Sequence, residues 1–356
     1  MTIYVVLTLC IAILSLFDSF RNNIQNKDKC FHYSVYILVL LFLIVFVGFR
    51  EMGFDYDNYR YYYDRLSDFW IDNADVLRVE KGYAFLNHIL PSYRVLLVVM
   101  ATITLSLQLL FIYKYSPAPF ASILFYIGAF LLTSTMGQYR QALAIAIVIW
   151  AFTKYNNKLI FITLLTMACI FHVSALLAIL VLVIPKHICQ PKIYAILFVA
   201  SVVVNLTAGT LFVSTIEYMP QFIAEKLNIY SLQEKGTILG FNAAMLLRLI
   251  IFLIFYYNRD VIKSYRYGEL FFNLYFVSII IYMGLGFLPQ LAGRGAIYFY
   301  FMELLLAGML VKIPRTGIVY LAFFGAISIY RLLSLFSEWS GDYIPYRNEL
   351  FAIFSL

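Results

Sequence analysis

Apolar runs of roughly 20 residues recur from one end of the chain to the other, separated by short polar stretches. They fall near 2–17, 33–49, 95–113, 120–136, 140–154, 159–185, 193–214, 242–257, 270–289, 296–311 and 316–332. This pattern predicts an all-α, polytopic membrane protein. A membrane β-barrel would show weaker ten-residue segments of alternating polarity, and the sequence has none. Composition agrees. Of the residues, 63% are hydrophobic and 13% charged, where soluble domains carry roughly 25% charge.

Loop charge orients the spans. Arg21, Lys27 and Lys29 share one loop, and Lys114 lies in the next but one. Lys154 and Lys158 follow, then Lys186 and Lys192 around "HICQP", then Arg259, Lys263 and Arg266, then Lys312 and Arg315. The positive-inside rule places these loops in the cytoplasm. The N-terminus, residues 50–94, residues 215–241 and the C-terminal tail are then outside. The run 159–185 begins and ends in loops assigned to one side, so a single crossing would break the alternation. It reads as two short arms, 159–171 and 172–185, bent near Phe171-His172. The expectation is about twelve transmembrane segments, or ten full spans plus this hairpin. Arms of about 13 residues are too short to span straight at 1.5 Å per residue, so protein or a cavity must shield them. The chain reads as a single transmembrane domain, 1–356, with outer loops 50–94 and 215–241 as lids. Within the first, "VEKGYAFLNHIL" reads as an amphipathic helix on the membrane surface.

Some classes of chemistry fall away. Cys10, Cys30, Cys169 and Cys189 have no zinc spacing and lie in apolar runs or separate basic loops. The expectation is no disulfide, no metal and no cofactor. The N-terminus lacks a basic leader region and a clear cleavage site, and reads as a retained first helix. Tyrosine and phenylalanine are abundant, 30 and 33 residues. Tyrosine suits membrane interfaces, and its ring also stacks on sugars.

Arginines on the predicted outer side change the picture. Arg50 ends the second span. Arg140, in "MGQYRQALA", and Arg294, in "AGRGAIYFY", are placed at the starts of returning helices. Arg248 lies in the outer half of "FNAAMLLRLIIF". Snorkelling explains single outer arginines. Four near one depth, three of them within three residues of a glycine, point instead to a cavity or partner. Arginine forks match phosphate oxygens, and helix starts suit anions. An outward-facing phosphate or pyrophosphate site is the expectation. Asp55 and Asp57 follow Arg50 closely: they either pair with it or accept a proton from a sugar hydroxyl. His172, at the expected bend in "CIFHVSALL", reads either as a hydrogen-bonded structural residue or as a base or phosphate donor. Glu303, inside a span, reads as a partner for a buried arginine.

These pieces resemble the EpsG family of membrane proteins, within the broader Wzy-type O-antigen polymerase group. The matching residues are Phe49-Arg50 with Gly53-Phe54-Asp55-Tyr56 and Tyr59; Glu80 with Gly82-Tyr83; Arg140-Gln141-Ala142-Leu143-Ala144; Phe171-His172-Val173-Ser174-Ala175; Arg294 with Tyr298; and Asp342-Tyr343-Ile344-Pro345-Tyr346. The resemblance implies a GT-C-like glycosyltransferase in the bacterial cytoplasmic (inner) membrane, with its active site facing the periplasm. Its donor and acceptor would be undecaprenyl-pyrophosphate-linked oligosaccharides. A chain-length regulator protein and membrane lipid would be its partners, with no nucleic acid, nucleotide sugar or metal. Arg50, Arg140, Arg294 and Arg248 would bind the pyrophosphate, the leaving group. Asp55, Asp57 or His172 would assist the acceptor hydroxyl. Tyr56, Tyr59, Glu80, Gln141 and Tyr298 would bind sugar or support the site. One in-line displacement would invert the anomeric centre. The rival expectations are a flippase for the same lipid, which usually carries an internal repeat not found here, and a membrane O-acyltransferase built around a histidine.

Overall fold

A computed structural model describes residues 1–20, 26–67, 70–215 and 241–350. The helices, in order, are α1 (Thr2–Phe20), α2 (Asn26–Gly48), α3 (Tyr56–Leu66), α4 (Trp70–Leu77), α5 (Lys81–Ile89), α6 (Tyr93–Tyr115), α7 (Pro119–Tyr126), α8 (Tyr139–Phe152) and α9 (Lys158–Phe171). They continue with α10 (Pro191–Thr215), α11 (Ala243–Tyr257), α12 (Arg259–Lys263), α13 (Gly268–Gly284), α14 (Pro289–Tyr300), α15 (Met302–Val311) and α16 (Gly317–Tyr343). A π-helix, Ile127–Gly137, prolongs α7, and a 3₁₀ helix, Val173–Leu182, follows α9. The one β-type pairing among the described residues is an isolated antiparallel bridge between Arg50 and Asn348.

Helix starts follow from local chemistry. The side chains of Ser92, Asn157 and Asn242 accept the free N–H groups of Val95, Ile160 and Met245 at the starts of α6, α9 and α11. Proline occupies the first turn of α7 and α14, where its missing N–H costs nothing.

Among the described residues, six helices are long and apolar enough to cross a membrane, or seven if α14 and α15, bent by 42°, form one span. This is a polytopic membrane protein. The other apolar helices, including α8, α9, α11 and α13, have 10–17 residues, shorter than a straight crossing needs. The break expected in the run 159–185 is present. The α9 helix ends at Phe171, His172 is extended (φ −158°, ψ 113°), and the tighter 3₁₀ helix begins at Val173. Most of the outer loop expected at 215–241 lies outside the described residues.

The chain forms two compact units, Met1–Leu176 with Ala307–Leu356, and Leu177–Leu306. In the first, α16 packs on α1, α7 and the π-helix. The tail following α16 closes onto the end of α2. Glu51 N–H donates to the Arg347 carbonyl at 3.0 Å, and Glu349 N–H to Phe49 at 3.1 Å. Tyr346 stacks on Phe46. Buried Asp18 closes the opposite end of α7, accepting the N–H groups of Phe120 and Ala121 and pairing with His32. In the second unit α13 packs against α10, α11 and α14. Its buried Asn273 accepts from Tyr194 at 2.6 Å and donates to the carbonyls of Pro185 and His187, which fixes the "PKHICQ" turn.

The segment "VEKGYAFLNHIL" does form a helix, α5. It buries Tyr83, Ala84 and Asn87 against protein and leaves Phe85 and Ile89 exposed. Its buried face packs onto α9 and α6.

The close approach of α16 to the π-helix is testable. A methyl on Gly128 would lie 2.5 Å from Ser328 Cα and 2.7 Å from its carbonyl oxygen, whereas nothing lies within 4 Å of one on Gly293. Gly128→Ala is expected to cost about 1–3 kcal/mol and to lower the melting temperature of the purified protein. Gly293→Ala should match or exceed the parent, since alanine favours helix. Equal melting of the two variants would contradict this packing.

Candidate active site

Three separate segments of the first unit meet at Arg140. This arginine is the second residue of α8, and its Nη1 donates to Glu80 Oε2 at 2.7 Å. Glu80 immediately precedes α5. Its other carboxylate oxygen accepts the N–H of Val173 at 3.4 Å, the first residue beyond the break at His172. The Arg140 guanidinium also lies over three tyrosine rings, Tyr83 at 5.2 Å, Tyr59 at 5.4 Å and Tyr62 at 5.8 Å. Tyr59 and Tyr62 come from α3, and Tyr83 from α5. The hydroxyls of Tyr83 and Tyr139 bond at 2.7 Å, and the rings of Tyr59 and Tyr139 approach to 4.0 Å. Arg140 Nε is buried and makes no hydrogen bond.

The electrostatics follow from this geometry. Burial pushes the Tyr59 phenol above its ordinary value, and Arg140 pulls it partly back. Burial also raises the Tyr83 phenol, opposed by its bond to Tyr139. Both remain neutral donors at physiological pH.

Arg50 reaches the same tyrosine cluster from another side, its guanidinium 5.8 Å from the Tyr139 ring. It is 1% exposed. Its Nη1 donates to the Val47 carbonyl at 2.7 Å and its Nη2 to Met136 at 2.9 Å, while Nε is buried and unbonded. Its hydrogen bonds thus go to backbone carbonyls rather than to Asp55 or Asp57. Gly53 makes room beside it. Its φ of +138° suits glycine alone, and a Cβ would lie 3.0 Å from the Met136 oxygen. Arg94 fixes the same turn, donating to the Arg50 carbonyl and pairing with Glu349 at 2.6 Å.

Asp55 is half-buried just before α3 and accepts from Asn58 at 3.3 Å. Asp57 is exposed in the first turn of α3. The Tyr56 carbonyl accepts from Tyr93 at 3.0 Å, and Gln141 is buried next to Arg140. His172 Nδ1 lies 2.7 Å from Ser174 Oγ, so it belongs to the segment that Glu80 anchors.

The remaining arginines belong to the second unit. Arg248 lies between the rings of Tyr300 at 4.3 Å and Tyr282 at 4.5 Å, with Nη1 buried and unbonded. Tyr300 in turn donates to buried Glu303 at 3.4 Å. Arg294 is not at a helix start. Helix α14 begins at Pro289, because proline supplies a ready first turn, and Arg294 lies in its second turn. Its position therefore offers no N-terminal amides for an anion. Tyr298 is fully buried in the same helix.

Sequence reading missed the cage itself. Tyr62 and Tyr139 were not singled out, although Tyr59 and Tyr62 fall one helical turn apart and Tyr139 adjoins Arg140, and Tyr83 entered only through the family resemblance. Among the described residues, no group of three or more His, Cys, Asp or Glu could hold a metal ion.

The model of the EpsG family matches residues 32–348, a span that includes every residue of this site. The chain belongs to the EpsG family. Membership points to a role in membrane polysaccharide biosynthesis. No curated protein and no solved structure matches this EpsG-family chain.

The Arg50 contacts make a stability prediction for the EpsG-family site. Lysine cannot serve two divergent carbonyls with a planar fork. Arg50→Lys is expected to lower stability by about 1–3 kcal/mol, read as the melting temperature, while Asp57→Asn, on an exposed side chain, leaves it unchanged. A stable Arg50→Lys protein would show that these bonds do not hold the turn.

Proposed function

We propose that this EpsG-family protein polymerises oligosaccharide repeat units carried on undecaprenyl pyrophosphate, by glycosyl transfer on the outer side of the bacterial cytoplasmic membrane. The observation that carries the reading is Arg140, held by Glu80 inside a tyrosine cage beside the His172 break, with a buried Nε–H that makes no hydrogen bond. An unmet buried donor costs about 1–3 kcal/mol, and a phosphate oxygen would satisfy it.

In the proposed reaction the acceptor hydroxyl attacks the anomeric carbon of the donor sugar. The new C–O bond forms as the bond to pyrophosphate breaks, and the anomeric centre inverts. Negative charge grows on the departing pyrophosphate. Arg140 stabilises it, and Arg50 adds positive potential from behind Tyr139. The hydroxyl proton passes to a nearby base. Asp57 points to solvent and is poorly placed for this. Glu80, Asp55 and His172 are the candidate bases.

The test is the length of surface polysaccharide made by variants at normal protein abundance. Arg140→Lys keeps the charge and loses the fork, and should cut polymer formation by roughly 30- to 1000-fold. Glu80→Gln should do likewise while the protein still folds. His172→Ala separates two roles. Single repeat units at normal abundance mark a chemical role, whereas lost abundance restored by His172→Asn marks a packing role. Full-length polymer from Arg140→Lys and Glu80→Gln together would overturn the reading. Sidedness is tested separately. A cysteine at Asp57 in a chain otherwise lacking cysteines should react with an impermeant reagent in intact cells, and Cys30 alone should not. The reverse result would invert the topology.

A further inference from the structure

The tyrosine cage does not end at Arg140. Ring contacts run from Tyr139 to Tyr59 at 4.0 Å, from Tyr59 to Tyr62 at 6.1 Å, and from Tyr62 to Tyr61 at 6.2 Å. The Arg65 guanidinium lies 5.3 Å over the Tyr61 ring and ends the series. Exposure rises along it. Tyr139 and Tyr59 are buried, Tyr62 is half-buried, and Tyr61 is 49% exposed. An aromatic line therefore leads from the buried guanidinium of Arg140 to the surface of α3.

The chemistry of that surface narrows what it can hold. On an α-helix, Asn58, Tyr61, Tyr62 and Arg65 share one face at spacings of three, four and seven. Asn58 and Arg65 are exposed, and so are the neighbouring Asp57 and Asp64. A tyrosine that anchors a helix in lipid has apolar neighbours on its face. Tyr61 instead stands among amide, carboxylate and guanidinium groups. Aromatic rings flanked by such groups suit a ligand with apolar C–H faces and a rim of hydroxyls. That is a sugar chain: the ring stacks on the C–H face, and the amide and carboxylates bond the hydroxyls. The Arg65 contact also fixes the Tyr61 ring before any ligand arrives, which reduces the ordering cost of binding.

We infer that α3 carries a glycan-binding track, in which Tyr62 and Tyr61, flanked by Asn58 and Arg65, hold the oligosaccharide chain as it leaves the Arg140 site. The inference rests on the polymerase reading and adds to it a subsite for sugars remote from the reacting bond. Holding the chain there would keep the growing polymer engaged between successive transfers. Tyr61 touches no part of the Arg140–Glu80 pair, so its loss should shorten chains without stopping the first transfer.

The experiment uses the full chain in lipid nanodiscs and, as probes, oligosaccharides of one to several repeat units released from the host polysaccharide. Tyr61→Ala is expected to weaken binding of the longer oligosaccharides by about 3- to 10-fold, in line with one lost stacking contact. Tyr61→Phe should bind as the parent does, because the ring face remains. In cells, Tyr61→Ala should shift the polymer towards short chains while molecules of two or more repeat units persist. Arg65→Ala should shift it in the same direction. Parental binding and parental chain length in Tyr61→Ala would overturn the track, and so would a Tyr61→Phe protein as defective as Tyr61→Ala. The two readings fail separately. If Arg140→Lys abolishes polymer and Tyr61→Ala changes nothing, the track falls and the polymerase reading stands. If the parent protein binds none of the oligosaccharides, the track falls, and if Arg140→Lys also leaves the polymer intact, the polymerase reading falls with it.

Discussion

The bond between Arg140 and Glu80 fixes how α8, α5 and the segment after α9 meet. A charged group away from water is tolerated when it has a partner of opposite sign and further hydrogen bonds. Arg140 is only 18% exposed and Glu80 20%, so each needs the other. To bring them together the chain must lay α5 directly against α9. Gly82 allows this: a Cβ there would lie 2.2 Å from Ile170 Cγ2 and 2.9 Å from the Ile170 carbonyl oxygen. The same approach delivers Tyr83 to the guanidinium and lets Glu80 bond the Val173 amide beyond the helix break. One carboxylate thus joins the start of α5, the start of α8 and the exposed amide that follows the break after α9. That amide would otherwise go unmet, because the first turn of any helix has no internal partners for its N–H groups.

Arg50 and Arg140 look alike in the sequence, yet their surroundings separate them. Arg50 is enclosed by carbonyls at the end of α2 and at the end of the π-helix, next to a turn that only glycine can make. The C-terminal tail pairs with the flanking backbone through the Arg50–Asn348 bridge. Its first task is to hold the "FREMGFD" turn. Arg140 has a carboxylate and three aromatic faces around it, and two of the contributing helices, α3 and α5, are short and lie outside the long apolar spans. Arg248, between Tyr282 and Tyr300, repeats the pairing of arginine with tyrosine rings in the second unit. Tyrosine supplies a π-face that stabilises the cation without neutralising it.

Much of the fold was legible because apolar runs and breakers act locally. Each expected run coincides with helix, and the break at Phe171-His172 falls where loop charge required one. The helix in "VEKGYAFLNHIL" was legible from its periodicity. Its docking partner was not, since the closeness of Gly82 to Ile170 joins residues far apart in the chain. Local geometry was also hidden. Apolar residues alone do not distinguish α-, π- and 3₁₀-helix, so the π-helix at 127–137 and the 3₁₀ turns after His172 read simply as span. The placing of Arg294 at a helix start failed for a related reason: the apolar stretch begins after it, but Pro289 starts the helix earlier. Of the site, the arginines stood out by their placement at span ends, and Glu80 and Tyr59 only through the family resemblance. Their pairing was not. Glu80 and Arg140 are 60 residues apart, and no periodicity reports a contact at that distance.

The two arginines of the cluster differ in charge balance. Arg140 and Glu80 cancel to first order, and the neutral phenols around them add dipoles but no charge. Arg50 is left as a buried cation with carbonyl partners and no carboxylate bonded to it. Carbonyl dipoles offset part of the cost of burying a guanidinium, but the positive potential remains and is poorly screened in a dry interior. Tyr139 lies between Arg50, 5.8 Å from its ring, and Tyr59, whose ring approaches it to 4.0 Å. The two arginines thus have different tasks: Arg50 holds a turn through carbonyls, and Arg140, balanced by Glu80, keeps one buried donor unbonded.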